Sequence, residues 1–187
     1  ELDLLGRFVR THEAQDLARL ANSELPKLRT HDRQGRRLDQ VEYHPAYHAL
    51  MRRSAAQGIH SSIWEGSNSE AGMRHQVRGA RFYLTAGLEC GHLCPITMTS
   101  AALAALMANS ELFSRWAPLV ISRKYDQSNR PFQQKTGVTI GMGMTEKQGG
   151  TDVRANTTRA EPAGNGMWKL TGHKWFMSAP MSDAFLM

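Results

Sequence analysis

The segment Gly141-Met142-Gly143-Met144-Thr145-Glu146-Lys147-Gln148-Gly149-Gly150-Thr151-Asp152 gathers residue types that handle flat or anionic groups. Val138, Ile140, Met142 and Met144 alternate with Thr139, Gly141, Gly143 and Thr145, which is the period of a β-strand. A strand whose one face is reduced to Gly141 and Gly143 lets a flat group or another backbone come close. The Gly149-Gly150-Thr151 turn can present backbone N–H groups and a hydroxyl to an anion such as a pyrophosphate. The spacing is not the dinucleotide-binding fingerprint, because Glu146 stands where its third glycine belongs, and no Gly-Lys-Ser/Thr ending makes it a phosphate loop. On these residues alone a purely structural hairpin or bulge remains open. Glu146 and Asp152 read as turn and capping carboxylates rather than catalytic acids.

A second segment, Gly172-His173-Lys174-Trp175-Phe176-Met177-Ser178-Ala179, changes the weighting. The pair resembles the flavin-binding strands of the acyl-CoA dehydrogenase family, where the first runs Thr-Glu-x-x-x-Gly-Ser/Thr-Asp and the second Gly-x-Lys-x-Trp-Ile-Thr-Asn, with a hairpin between. The runs Gly91-His92-Leu93-Cys94-Pro95-Ile96-Thr97-Met98-Thr99 and Gln34-Gly35-Arg36-Arg37-Leu38-Asp39, the latter before His44-Pro45, are similar to the AidB-type branch of that family. Together these matches span most of the chain. The resemblance implies FAD as cofactor, with Met142, Met144 and Thr145 at the flavin ring and Gly150 and Thr151 at the pyrophosphate. It also places Phe176 on the isoalloxazine, in the position of the family's tryptophan, and the Ser178 hydroxyl opposite flavin N5. A stacked aromatic ring contributes about 0.5–1.5 kcal/mol beyond its area burial, and a hydroxyl at N5 can stabilise negative charge developing there. Lys147-Gln148, Phe176 and Ser178 depart from the family's usual residues but keep the chemical type at the ring.

Other residues that could do chemistry are set apart by their surroundings. His44 and His48 have the i,i+4 spacing of metal ligands, with no third ligand in view. Cys90 and Cys94 lack a second Cys/His pair and read as reduced, buried small residues, so no metal is expected. Glu65, in Ile63-Trp64-Glu65-Gly66, lies outside the two motifs and is not read as a base, so no catalytic residue is assigned. Trp175, next to Phe176, is expected on the opposite face of its strand as a core residue. The chain of 187 residues carries net charge +6, with arginines at Arg29, Arg33, Arg36 and Arg37 and again at Arg52 and Arg53. That cluster is read first as solvated surface; it also suits an anionic partner, but without interleaved aromatics it is not a single-strand nucleic-acid signature.

The elements that must position the motifs follow from hydrophobic period. Ala14, Leu17, Ala18, Ala21 and Leu25 mark a helix that Pro26 ends. Arg29 to Val41 reads as a polar loop, Pro45 to Ile63 as a helix, and Val77 to Met107 as two helices parted near Pro95, which suits a first turn. Ser110 is expected to cap a helix whose inner face is Leu112, Phe113, Trp116, Leu119 and Val120. Beyond the linker Lys124 to Lys135, Thr157 to Glu161 and Met167 to Thr171 flank Pro162-Ala163-Gly164-Asn165-Gly166 as a hairpin. Further short strands are expected at Lys174 to Ser178 and Ala184 to Met187. The expected fold class is α+β: an N-terminal α-helical domain over 1–136, then the first strands of an antiparallel, barrel-like β domain over 137–187, of acyl-CoA dehydrogenase type.

No apolar run approaches the roughly 20 residues of a membrane span, and two cysteines with no signal sequence point to the cytoplasm. The start and the final strand residues read as cuts within a longer product. The resemblance implies a homotetramer in full-length form, acyl-CoA as a substrate class, and duplex DNA bound through a C-terminal domain. The expectation is an FAD flavoprotein of the alkylation response, with a metabolic short- or branched-chain acyl-CoA dehydrogenase as the alternative. In that family the catalytic glutamate lies in the C-terminal helical domain, so this chain alone is expected to be inactive and to hold flavin weakly.

Overall fold

The computed structural model describes residues 2–66 and 72–187. Helix α1 (Leu2–Val9) precedes α2 (His12–Ser23), where the Thr11 side chain accepts a hydrogen bond from the Ala14 N–H and so caps the first turn. Pro26 follows, and it disfavours helix for Leu25 before it.

Residues 27–42 depart from the expected polar loop. The stretch taken for a polar loop forms an antiparallel hairpin, β1 (Lys27–His31) against β2 (Arg37–Glu42). Its turn is closed by the Asp32 carboxylate, which accepts from the Gln34 and Arg36 N–H groups, and by Gly35 at φ 79°. Both faces carry charged residues, so no apolar alternation announces the strands.

Helix α3 (Pro45–Ala56) starts with the His44 ring accepting from the Ala46 N–H and with proline in its first turn. It ends earlier than its period suggests. Gly58 at φ 64° turns the chain, and turns then carry Ile59 into the core. Helices α4 (Arg74–Leu88) and α5 (Leu93–Leu106) part at Glu89, with Pro95 in the first turn of α5 as expected. Asn109 rather than Ser110 caps α6 (Ser110–Val120), accepting from the Leu112 N–H; Leu112 itself stays 44% exposed.

The helices enclose two apolar clusters. Tyr47, Met51, Ile59, Leu93 and Ile96 join α3 to α5, and Ala102, Leu103, Ala117, Val120, Val138 and Ile140 join α5 and α6 to the first strand beyond them. That strand, β3 (Ile140–Met142), is pinned to α5 by the Ile140 N–H donating to Thr99 Oγ1 at 3.0 Å. It pairs in parallel with β6 (Ala184–Leu186). Asp183 sets the register: its N–H donates to the Thr139 carbonyl, while its carboxylate accepts from the Thr139 N–H and from Lys135 Nζ at 2.6 Å. Between them β4 (Arg159–Gly164) and β5 (Met167–Thr171) form the expected antiparallel hairpin. Its turn places Gly164, Asn165 and Gly166 all at positive φ, which glycine and asparagine tolerate.

Three smaller expectations are corrected. Lys174 to Ser178 is not a strand, because Phe176 and Ala179 both sit at φ 55° and break the extended run. Trp175 is 44% exposed and is no core residue. Cys90 and Cys94 are exposed free thiols flanking the start of α5, not buried ones. Among the described residues no helix is long and apolar enough to cross a membrane.

Candidate functional site

Glu146 joins the two glycine-bearing motifs. It is 3% exposed and bridges to Gly149 across a tight turn. Its carboxylate accepts from Lys174 Nζ at 2.8 Å, from the Thr157 and Thr158 N–H groups at 2.7 and 3.0 Å, and from Gln148 Nε2 at 2.8 Å. The Lys174 bond first, then those of Thr158, Thr157 and Gln148, hold the carboxyl well below the usual carboxylate range, so it is ionised. The sequence reading of Glu146 as a turn carboxylate fits this geometry but understates its reach.

Around that anchor the second motif lies along the first. The Trp175 N–H donates to the Thr145 carbonyl at 2.9 Å, and the Met144 carbonyl accepts from Asn156 Nδ2 at 2.9 Å. The glycine face meets side chains of the same chain. A methyl group added at Gly141 would lie 2.5 Å from the Phe185 ring, and one at Gly143 would lie 2.0 Å from Met177 Sδ. At Gly150 it would lie 2.7 Å from Thr145 Oγ1, so that turn folds directly onto the segment that leaves β3.

The seven residues expected at a flavin are thus placed as follows. Met144, Thr145 and Gly150 share one corner with the Phe176–Ser178 run, which reaches it through Trp175. Met142 lies deeper along β3, partly buried, and Thr151 is exposed beyond Gly150. Phe176 is 76% exposed and Met144 49%, so the corner is an open apolar platform. Phe176 holds φ 55°, a region that costs an L-residue about 1–2 kcal/mol, and Ser178 is turned by its N–H donating to the Phe176 carbonyl at 2.8 Å.

The other residues singled out from sequence have structural partners. The Glu65 carboxylate accepts from Arg123 at 2.9 and 2.7 Å and from Ser61 Oγ at 2.8 Å. His48 Nδ1 meets the Tyr125 hydroxyl at 2.9 Å, and His44 caps α3. Among the described residues no group of three His, Cys, Asp or Glu could hold a metal ion.

Sequence reasoning missed one buried relay. His92 Nδ1 bonds to the Glu89 carboxylate, and its Nε2 meets Ser54 Oγ at 2.8 Å; the three residues are 1%, 5% and 3% exposed. The order is that of a nucleophilic triad, yet Ser54 is enclosed between α3 and α5 and none of the three lines the large cleft of the molecule. It is a brace. Burial would raise the Glu89 pKa, but bonds from His92 and the Gly91 and His92 N–H groups outweigh it and bring it to about 2.

Residues 1–127 match the family model of the adaptive response protein AidB N-terminal domain. Over 183 residues the chain is 48% identical to the putative acyl-CoA dehydrogenase AidB of Escherichia coli (strain K12), covering 97% of this chain and 34% of that protein. It is 32% identical to acyl-CoA dehydrogenase family member 11 of Caenorhabditis elegans, over 94% of this chain and 28% of that one. Two solved structures superpose well. The Bd2924 apo-form gives a TM-score of 0.76 at 29% identity, with 92% of this chain and 34% of that one covered. Caenorhabditis elegans ACDH-11 in complex with C11-CoA gives 0.73 at 27%, with 88% and 27% covered. The chain therefore spans about a third of the length of the curated relatives it matches.

Proposed function

The chain belongs to the AidB N-terminal domain family of acyl-CoA dehydrogenase-like proteins, and from that membership we propose that it supplies one wall of an FAD site in a flavoprotein of the DNA alkylation response. The observation that carries this is Phe176. A large apolar side chain is left 76% exposed on a backbone held in the left-handed region, an outlier that persists where function demands it.

In this reading the Phe176 ring would stack on the isoalloxazine, with Met142 at the end of β3 and Met144 and Thr145 just beyond it along the ring's edge. Gly150 and Thr151 offer N–H and hydroxyl donors to the pyrophosphate. FAD, when bound, supplies hydride acceptance. Ser178 would supply a hydroxyl near N5, where a donor stabilises incoming negative charge. The platform covers one side only, so the 187-residue chain binds FAD weakly. Titrating the purified chain with FAD while following visible absorbance tests this: a saturable, weak perturbation is expected, and either none or a tight stoichiometric yellow complex contradicts it.

We further propose a cytoplasmic homotetramer for the full-length protein, with duplex DNA as its partner. The neighbour bound to C11-CoA supports acyl-CoA as a partner, which suits the second reading: an acyl-CoA dehydrogenase that passes a hydride from a short or branched acyl thioester to FAD. On the full-length protein, DNA affinity that falls steeply with salt supports the first reading, and turnover of isovaleryl-CoA with an electron acceptor supports the second.

A further inference from the structure

Away from the Phe176 platform, a cleft of about 890 Å³ opens between β2, α3, the 125–135 segment and residues 180–183. None of the seven residues assigned to FAD lines it. Its size falls within the range of small-molecule sites, and its largely polar lining includes the rings of Tyr43, His48, Tyr125 and Phe132. Tyr43 stacks on Tyr47 with centroids 4.3 Å apart, His48 stacks on Tyr125 at 5.9 Å, and Tyr43 meets His48 edge-on at 6.2 Å.

Charge in the cleft is almost wholly cancelled within the protein. Arg130 pairs with Asp126 at 2.7 Å and Lys135 with Asp183 at 2.6 Å. Glu42 pairs with Arg29 at 2.7 Å and Asp39 with Arg37 at 2.6 Å. Burial first, and the Arg52 guanidinium next, push His48 below its ordinary pKa, so it is neutral at pH 7. One lining charge is left over. Arg52 is exposed on α3, close enough to His48 and Tyr125 to act on both electrostatically, and no described carboxylate pairs with it.

We propose that this cleft binds a small planar aromatic anion, with its ring against Tyr43 and Tyr125 and its negative group on Arg52. Flat rings favour stacked or edge-on contact with tyrosine faces, and the guanidinium fork suits a carboxylate or phosphate. The ion pairs leave no described carboxylate of the lining free to hold a cation. The site does not depend on FAD.

Calorimetric titration of the 187-residue chain with 2-naphthoate and with adenosine 5′-monophosphate tests it, with neutral 2-naphthamide as the control. Saturable one-to-one binding of at least one anion is expected, and at least about tenfold weaker binding of the amide, the loss that follows from one charge-assisted contact of about 1.5 kcal/mol. The better of the two anions tells a carboxylate ligand from a nucleotide. Arg52→Gln, at an exposed position, is expected to melt like the wild type and to lose anion binding by a similar factor, whereas Phe176→Ala leaves it unchanged. Equal binding of naphthoate and naphthamide, unchanged binding by Arg52→Gln, or no saturable binding of either anion overturns the proposal.

Discussion

Glu146 draws donors from three separate stretches of chain, at Gln148, at Thr157–Thr158 and at Lys174, and so the two motifs keep their spacing through one carboxylate. Lys174, with its side chain 8% exposed, has the matching need for a partner. Glu146→Gln removes the charge while keeping the shape. It is expected to lower the melting temperature and to weaken FAD binding by about tenfold or more, since a displacement of this corner moves Thr145 and Phe176 together. Calorimetric melts with a parallel FAD titration check both; a variant that melts lower yet binds FAD equally well would show that the anchor is structural only. The resemblance to the acyl-CoA dehydrogenase motifs is what linked Thr145, Phe176 and Ser178 in the sequence. What could not be read there was the use of the glycine face, which Phe185 and Met177 occupy from positions 44 and 34 residues away.

At the scale of elements, legibility followed how local the determining contacts are. The β4–β5 hairpin was readable because Gly164, Asn165 and Gly166 are the residues a positive-φ turn requires. The β1–β2 hairpin was hidden by charge on both faces, and the β3–β6 pairing by its non-local register through Asp183 and Thr139. The Ser54–His92–Glu89 brace gave no signal, since Ser54 lies on α3 and the other two in the connection from α4 to α5. It nevertheless predicts a pH response. The Glu89 pKa falls from 4.5 to about 2 on folding, so its contribution is complete above pH 4.5 and is lost as pH drops toward 2. Urea unfolding at pH 7, 4.5 and 3 is expected to show Glu89→Gln less stable than wild type at pH 7, with the gap narrowing by pH 3. A constant gap would mean that the ionised carboxylate is not what holds His92. Ser54→Ala is expected to cost about 1–3 kcal/mol at pH 7 in the same experiment, because it leaves the His92 nitrogen buried without a partner.

Taken whole, the molecule is a helical body from which a short β region extends, and its two candidate sites lie at different places on that join. The large cleft lies where the helices meet residues 180–183, and the Phe176 platform lies on the strand side. Met181, partly buried against the Tyr47 cluster, is three residues from Ser178, so the segment that shapes the platform is also fixed to the helical core. The β4–β5 hairpin beyond it is exposed along both strands, with Trp168 at 61% and Leu170 at 58%.

The central claim is that the backbone strain at Phe176 is kept for the sake of a bound ring, and Phe176→Gly separates its two halves. Glycine accepts φ 55° without the steric penalty, and little packing is lost from so exposed a side chain. The FAD dissociation constant of this variant, set beside that of the wild type in a flavin-fluorescence titration with both proteins shown to melt at the same or a higher temperature, is the direct measurement. The account predicts affinity lower by about tenfold, the loss of a stacked ring and its buried area. Equal affinity in a folded variant would contradict it.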